Sequence, residues 1–217
     1  MQVNLISHTP EPFLAIATAA AITRGVLYCQ AVKMPRKKLE AIVRDCYECG
    51  HWSVFEFAEW DFQASEVSRV LETQAVRSRL ASFEWETGRR ENAYLPCDAI
   101  DDKNYMSHLI EEITDITSDL APEDARYYIP QGVARKGRIK RNHRNLMETS
   151  MVRLCTHAQQ EYRDFMLRCK ALVTEVDPFL GELLQPKCVV NLYCNEKQSC
   201  RLNGVRTKDE VRKLLMG

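Results

Sequence analysis

Glycine is scarce in this sequence. Only 8 of its 217 residues are glycine, and none of the glycine-rich fingerprints that bind nucleotide phosphates fits the chain. The sequence also lacks a His-Glu-x-x-His pair and a Gly-x-Ser-x-Gly elbow, which excludes the common zinc-protease and serine-hydrolase signatures. An enzyme with this sequence would therefore take its chemistry from a bound cofactor, and its arginines would provide orientation and charge.

Net charge and long apolar runs are absent as well. The chain carries 30 Lys and Arg residues and 30 Asp and Glu residues, so no overall field attracts it to nucleic acid or to an anionic membrane. No apolar run approaches the length of a bilayer span, and the N-terminal residues MQVNLISHTPEP lack a signal-peptide pattern. We therefore expect a cytoplasmic protein with neither a nucleic-acid nor a membrane partner, in which any anion site is local.

Cysteine, by contrast, is abundant. The count of 9 is odd and the chain is long for a disulfide scaffold, so we predict reduced thiols. One close pair, Cys46 and Cys49, precedes three tail cysteines, Cys188, Cys194 and Cys200. A zinc site made from four of these is an alternative, but a zinc signature normally has two close pairs and only one is present. We therefore predict no metal.

The hydrophobic pattern predicts one α+β domain over residues 1–217. Strands are predicted at 3–7 and, with an irregularity, at 54–64. Helices are predicted at 13–25, 35–49, 65–80 and 104–120, with a short helical turn after residue 121. The longest predicted helix, 144–176, has about nine turns. An irregular, cysteine-containing tail at about 178–217 is predicted to end in a short helix.

Positive charge is concentrated in the segment RSRLASFEWETGRR, residues 77–90. Arg77, Arg79, Arg89 and Arg90 flank a turn-like stretch with hydroxyl groups and a glycine. Guanidinium groups and the backbone N–H groups of a turn are the donors that phosphate recognition uses. The segment therefore indicates a local phosphate site.

The predicted long helix carries a second set of polar residues. Asn142, Leu146, Thr149, Arg153 and His157 are spaced by three or four residues, so they share one face of that helix. A buried Arg153 needs an anionic or carbonyl partner because an unpaired guanidinium is costly to desolvate. From the spacing alone, a salt bridge for Arg153 and a structural role for His157 remain the alternatives to a binding site.

Four segments together resemble flavin-dependent thymidylate synthases, the ThyX class. Arg77-Ser78-Arg79, seven residues and then Thr87-Gly88-Arg89 is similar to the family signature of Arg-His-Arg, seven residues, Ser and a following Arg. GHWSVFEF upstream and LMETSMVRLCTHAQQEYRDF downstream are similar to two further family elements. The tail PKCVVNLYCNEKQSC resembles the cysteine-bearing tail of many members. The resemblance extends from residue 1 to about residue 200.

This resemblance implies a fold, a reaction and an assembly. The fold would be ThyX-like, with a mixed or antiparallel sheet packed against helices and one long helix in the C-terminal half. The protein would be a homotetramer that holds flavin adenine dinucleotide (FAD) at subunit interfaces. It would methylate the pyrimidine nucleotide monophosphate dUMP, with methylenetetrahydrofolate as carbon donor and NADPH as reductant.

The resemblance also implies roles for individual residues. Arg153 would contact the uracil ring and help to activate it, because a guanidinium at that edge stabilises the negative charge that develops there. The residues that would bind the nucleotide are Gln74, Arg77, Trp85, Glu86, Thr87, Gly88, Arg89, Arg126 and Arg153. The residues that would lie at the flavin are His51, Ser53, Glu56, Arg77, Ser78, Arg79, Asn142, Arg144 and Glu148.

Five positions depart from the family pattern. Ser78 replaces the central histidine of the signature, Thr87 its serine, and Arg90 the tyrosine that follows it. Phe57 replaces a second histidine, and Glu148 stands where a neutral polar residue is common. A carboxylate near a flavin disfavours the anionic reduced form. Two alternatives follow: a divergent relative that acts on UMP or dCMP or makes a hydroxymethyl product, and a non-catalytic homologue that binds nucleotide or flavin.

Overall fold

The computed structural model describes residues 1–87, 94–201 and 204–216, which divide into two compact units. The first unit comprises Met1–His8 and Trp60–Arg141, and the second comprises Thr9–Glu59 and Asn142–Gly217. Helices and an antiparallel sheet occur together, so the predicted α+β class is confirmed.

The strands are β1 (Gln2–His8), β2 (Glu59–Ser68), β3 (Ala81–Trp85), β4 (Ala134–Asn142), β5 (Tyr193–Cys194) and β6 (Arg206–Thr207). The first four form one sheet in the order β1-β2-β4-β3, in which β1 pairs antiparallel with β2 and β3 with β4. The two short strands β5 and β6 pair in parallel. The strand predicted at 3–7 is confirmed, whereas the central strand β4 was not predicted.

The α-helices are α1 (Pro12–Ile22), α2 (Tyr28–Ala31), α3 (Arg36–Glu48), α4 (Arg69–Ala75), α5 (Lys103–Ile116), α6 (Pro122–Ala125), α7 (His143–Arg153), α8 (Gln160–Val176), α9 (Pro178–Glu182), α10 (Lys187–Val190) and α11 (Lys208–Met216). Two 3₁₀ helices span Trp52–Phe57 and Arg126–Tyr128. The predicted helices at 13–25, 35–49 and 104–120 and the C-terminal helix are confirmed, with slightly different ends. In the described part of the chain, no helix combines the length and the apolar character needed to cross a bilayer.

The sheet carries the core of the first unit. Trp60 and Phe62 of β2 and Ile139 of β4 are fully buried, together with Leu71 of α4. Side chains of a strand alternate between its two faces. The same alternation therefore turns Arg135 and Arg141 of β4 inward, and they are 7% and 2% exposed.

The predicted helix 144–176 is wrong, because residues 154–159 interrupt it between α7 and α8. The Arg153 guanidinium carbon lies 4.5 Å from the centroid of the Tyr162 ring. In one continuous helix these two residues, nine positions apart, would lie on opposite faces and about 13.5 Å apart along the axis. The interruption makes the contact possible. No proline or glycine marks it in the sequence, so periodicity alone could not reveal it.

Two further predictions are corrected in part. The helix predicted at 65–80 begins only at Arg69, because β2 continues to Ser68. The Ser68 hydroxyl then accepts a hydrogen bond from the Leu71 N–H at 3.1 Å and caps α4. Phe55 and Phe57, predicted in a strand, lie in the 3₁₀ helix. The sheet irregularity lies in the partner strand β1, between Leu5 and Ser7.

A buried histidine in the second unit makes stability depend on pH. His143, the first residue of α7, is 0% exposed, and its ring centroid lies 5.9 Å from that of Phe55. Burial lowers the pKa of His143 from 6.5 to about 3. The unfolded chain therefore takes up a proton as the pH falls below 6.5, while the folded protein does not.

Because of His143, we expect the free energy of unfolding to be roughly 2 kcal/mol lower at pH 5 than at pH 7. Urea unfolding at both pH values measures the loss, which should be smaller in His143→Gln. An equal loss in the variant would show that other groups cause the acid sensitivity.

Candidate active site

The end of α4 presents the first group of predicted site residues, all in the first unit. Gln74 is half-buried in the last turn, and the Ser78 N–H donates to the Ala75 carbonyl at 3.1 Å as the helix ends. Arg77 and Arg79 are exposed on either side of Ser78. Neither guanidinium forms an ion pair with another described residue. Two uncompensated cations thus flank one hydroxyl group.

The segment after these residues is a strand, which corrects the predicted turn-like stretch. Trp85, the last residue of β3, pairs with Gly137 of β4, and its indole lies so close to Gly137 that an added methyl group would overlap it. The Glu86 N–H donates to the Lys136 carbonyl at 3.0 Å. Thr87 follows and is exposed. The predicted residues Gly88 and Arg89, and Arg90 beside them, lie outside the described residues.

Beside this segment, a cavity of about 430 Å³ in the first unit is rich in arginine. We call it the arginine cavity, and its lining residues are Arg69, Glu72, Arg126, Tyr127, Ile129, Gln131, Val133 and Arg135. Arg126, one of the predicted nucleotide ligands, is one-third exposed there, and its guanidinium lies 3.8 Å from the Glu123 carboxylate. The structure therefore gathers three guanidinium groups and one carboxylate around a space large enough for a small ligand.

Arg135 is held rigidly at the edge of this cavity. Its Nε donates to the Glu72 carboxylate at 3.1 Å, and its Nη2 donates to the Glu86 carbonyl oxygen. Glu86 belongs to the segment predicted to bind nucleotide, so this buried arginine fixes the backbone of that segment.

In the second unit the structure brings three predicted flavin residues together. The Arg144 guanidinium contacts Glu148 at 3.0 Å and Glu56 at 2.7 Å. The hydrogen bonds that Arg144 donates to Glu148, and then to Glu56, raise the pKa of Arg144 above its ordinary value. The Glu148 carboxylate is therefore paired with a cation four residues earlier on the same helix.

Three other predicted flavin residues in this unit occupy turns and helix ends. His51 is exposed after α3, and its N–H donates to the Cys46 carbonyl at 2.8 Å. Ser53 is exposed on the 3₁₀ helix. The Asn142 side-chain oxygen accepts the Asn145 N–H at 2.8 Å and caps α7.

Arg153 ends α7 and is half-buried. Its guanidinium carbon lies over the Tyr162 ring, a cation–π contact that restrains the group. His157 does not share the face of α7, because it lies beyond the end of that helix. Its Nε2 lies 2.9 Å from the Gln198 carbonyl oxygen.

Cys29, Cys46, Cys49, Cys155 and Cys194 are free thiols. Cys155, Cys188, Cys194 and Cys200 line a cavity of about 220 Å³ in the second unit. Across the described ranges, no group of three or more His, Cys, Asp or Glu residues is arranged to hold a metal ion.

Comparisons with family models, known sequences and solved structures all indicate the same family. The model of the family described as "Thymidylate synthase complementing protein" matches residues 4–179. The chain is 30% identical to the flavin-dependent thymidylate synthase of Saccharolobus solfataricus, in an alignment that covers 94% of this chain and 85% of that protein. It is 29% identical to the enzyme of that name from Clostridium tetani, over 90% of this chain and 91% of the relative.

The chain belongs to the flavin-dependent thymidylate synthase family. The fold agrees with a crystal structure of ThyX from Helicobacter pylori in complex with FAD and dUMP, with a TM-score of 0.70 over 85% of this chain and 100% of that chain, at 18% identity. The resemblance inferred from the four motifs is thus confirmed, and so is the expectation that the protein is an enzyme.

Within this family, the roles assigned to individual residues remain predictions. Motif reasoning missed Arg69, Glu72 and Arg135, which line the arginine cavity together with the predicted Arg126. The sequence held one signal for Arg135. In ARKGRIKRN, residues 134–142, this basic residue occupies an inward position of the alternating strand pattern. Without the strand being predicted, that signal could not be interpreted.

Proposed function

We propose that this protein is a flavin-dependent thymidylate synthase that converts dUMP to dTMP. In the overall reaction the hydrogen on uracil C5 is replaced by a methyl group, methylenetetrahydrofolate supplies the carbon, and NADPH supplies a hydride. The observation that carries the proposal is the match to flavin-dependent thymidylate synthases over nearly the whole chain. The H. pylori relative, whose crystal holds FAD and dUMP, shares the fold.

The residues proposed to hold the flavin have suitable chemistry. FAD contains a pyrophosphate, and Arg77 and Arg79 are exposed cations without an ion pair among the described residues, on either side of the Ser78 hydroxyl. Planar guanidinium groups bind phosphate oxygens through paired hydrogen bonds. When bound, FAD would supply the redox chemistry that reduces the transferred carbon to a methyl group.

The other proposed flavin residues belong to the second unit and include a partly compensated group of charges. His51, Ser53 and Asn142 offer an imidazole, a hydroxyl and a carboxamide. Glu148 departs from the family pattern, but its ion pair with Arg144, which also pairs with Glu56, offsets part of its negative charge. We therefore propose that Glu148 disfavours an anionic reduced flavin less than an isolated carboxylate would.

Arg153 is the proposed catalytic residue. Uracil C5 is a weak nucleophile, and stabilising negative charge on N3 and the carbonyl oxygens makes it stronger. A guanidinium provides that stabilisation best when it is already positioned before the reaction. The contact with Tyr162 restrains Arg153 through a ring face, while the N–H donors lie in the guanidinium plane.

The remaining parts of the proposal concern domain organisation, oligomeric state and cellular location. We propose that residues 1–217 form a single catalytic domain, with a cysteine-containing tail at about 178–217. The protein would work as a cytoplasmic homotetramer with active sites at subunit interfaces, as the family resemblance implies. Equal numbers of basic and acidic residues support the absence of a nucleic-acid or membrane partner.

A product-mass assay tests the proposed reaction. The protein is reconstituted with FAD and incubated with NADPH and methylenetetrahydrofolate, in parallel with dUMP, UMP and dCMP. We expect dUMP to gain the mass of one CH₂ group and to be converted much faster than the other two nucleotides. Protein without NADPH is the control.

Each other outcome supports an alternative. Faster conversion of UMP or dCMP, or a gain of CH₂O, would identify a divergent reaction. Protein that retains no flavin and converts none of the nucleotides would be a non-catalytic homologue.

A further inference from the structure

Arg69 stands out in the arginine cavity because no residue that the structure describes compensates its charge. The residue is half-buried at the start of α4, and its backbone N–H donates to the Gln131 carbonyl at 3.0 Å. Its guanidinium forms no hydrogen bond or ion pair with any other side chain that the structure describes. A guanidinium that is partly removed from water without an anion is unfavourable unless a ligand supplies the anion.

The other two arginines of the cavity are partly compensated. Arg135 is paired with Glu72 at 3.1 Å, and Arg126 lies 3.8 Å from Glu123. Burial raises the pKa of Tyr94, and the positive charges of Arg135 and Arg69 oppose that rise. Glu72 is the sole carboxylate among the described lining residues, so these residues together carry an excess of positive charge.

The ligand that fits this cavity is a small dianion with several acceptor oxygens. A phosphate monoester has this charge and can accept paired hydrogen bonds from two guanidinium groups. The cavity adjoins Glu86, since Arg135 donates to the Glu86 carbonyl oxygen. A phosphate there would lie beside the segment assigned to the nucleotide in the proposed function.

We propose that Arg69 is a phosphate ligand of the nucleotide substrate, acting with Arg126 in the arginine cavity. The ion pair between Arg135 and Glu72 supports this binding. Arg135 adds positive charge, and its hydrogen bond to the Glu86 carbonyl oxygen holds the adjoining segment in place. The inference rests on the proposed function and adds to it a residue outside the family signature. It makes the phosphate group, rather than the base, the part of the substrate that this cavity recognises.

Two probes test the assignment in FAD-reconstituted protein. Calorimetric titration measures the Kd for dUMP, and inorganic phosphate, titrated alone and as a competitor, measures affinity for the phosphate group. We expect Arg69→Gln to weaken the binding of both probes, dUMP by roughly 10- to 100-fold, since it removes charged hydrogen bonds. Arg69→Lys, which keeps the charge but not the planar fork, should give an intermediate Kd.

Arg138→Gln is the matched control. Arg138 lies on the exposed face of β4 in the same unit, outside the arginine cavity, and is paired with Asp61. Its replacement should leave both affinities within about twofold, a change of only about 0.4 kcal/mol. Thermal unfolding of all variants establishes that they fold.

The outcomes separate the two proposals. Unchanged affinity of Arg69→Gln for dUMP overturns the role of Arg69, and so does weaker dUMP binding with unchanged phosphate binding. If the unaltered protein binds phosphate through Arg69 but does not bind dUMP, the phosphate site stands as an anion site and the proposed function fails instead.

Discussion

Replacing Arg153 with alanine is expected to lower kcat for dUMP methylation by roughly 100- to 1000-fold, the range observed when one preorganised donor to a developing anion is removed. The variant also loses the contact with Tyr162, which restrains the guanidinium at the end of α7. Steady-state kinetics with dUMP, and dUMP titration of the FAD-bound protein, would measure both turnover and binding.

Two further variants serve as controls for this prediction. Arg153→Lys keeps the positive charge and should recover only part of kcat, because an ammonium group lacks the planar fork of donors. Arg168→Ala removes an exposed arginine from α8 and should leave kcat nearly unchanged. Equal kcat values for Arg153→Ala and the unaltered protein would refute the catalytic role.

The second large effect is expected at Gly137, where strand packing and the nucleotide segment meet. Gly137 lies opposite Trp85, and a methyl group added there would overlap the indole ring. Gly137→Ala should therefore displace Trp85 and lower the free energy of unfolding by about 1–3 kcal/mol, as overpacking of a tight contact does. Since Trp85 precedes Glu86, which Arg135 holds, dUMP affinity should fall as well.

A double-variant cycle isolates the cause. In a Trp85→Ala background the overlap disappears, so Gly137→Ala should then have little effect on urea unfolding. If the substitution destabilises both backgrounds equally, strain elsewhere in β4 is responsible and the packing argument is wrong.

Local sequence signals were sufficient to predict much of the secondary structure. Alanine-rich or amphipathic spacing identified α1, α3 and α5, because a helix needs little more than periodicity and a stop signal. The strand β4 was missed since five of its nine residues, ARKGRIKRN, are basic, which conceals the period-two pattern. Its inward face is built from glycine, isoleucine and two arginines, an alternation that becomes visible only when neighbouring strands cover it.

The residues of the candidate site could also be predicted only in part from the sequence. The motifs alone pointed to Arg77, Arg79 and Arg153, since each lies in one of the segments that resemble the family. Arg126 and Arg144 were assigned from their positions relative to those segments. No role was predicted for Arg69, and nothing in the sequence shows that Glu72 compensates Arg135 rather than Arg69. That choice depends on a side-chain distance of 3.1 Å between residues 63 positions apart.

By itself, then, the sequence determined the family, the α+β class and most helices, because motifs and hydrophobic periods are properties of neighbouring residues. Only the tertiary structure decided where the predicted long helix is interrupted and which arginine of the cavity has no anionic partner among the residues it describes. Both depend on contacts between residues distant in the chain, and such contacts leave no regular period in the sequence.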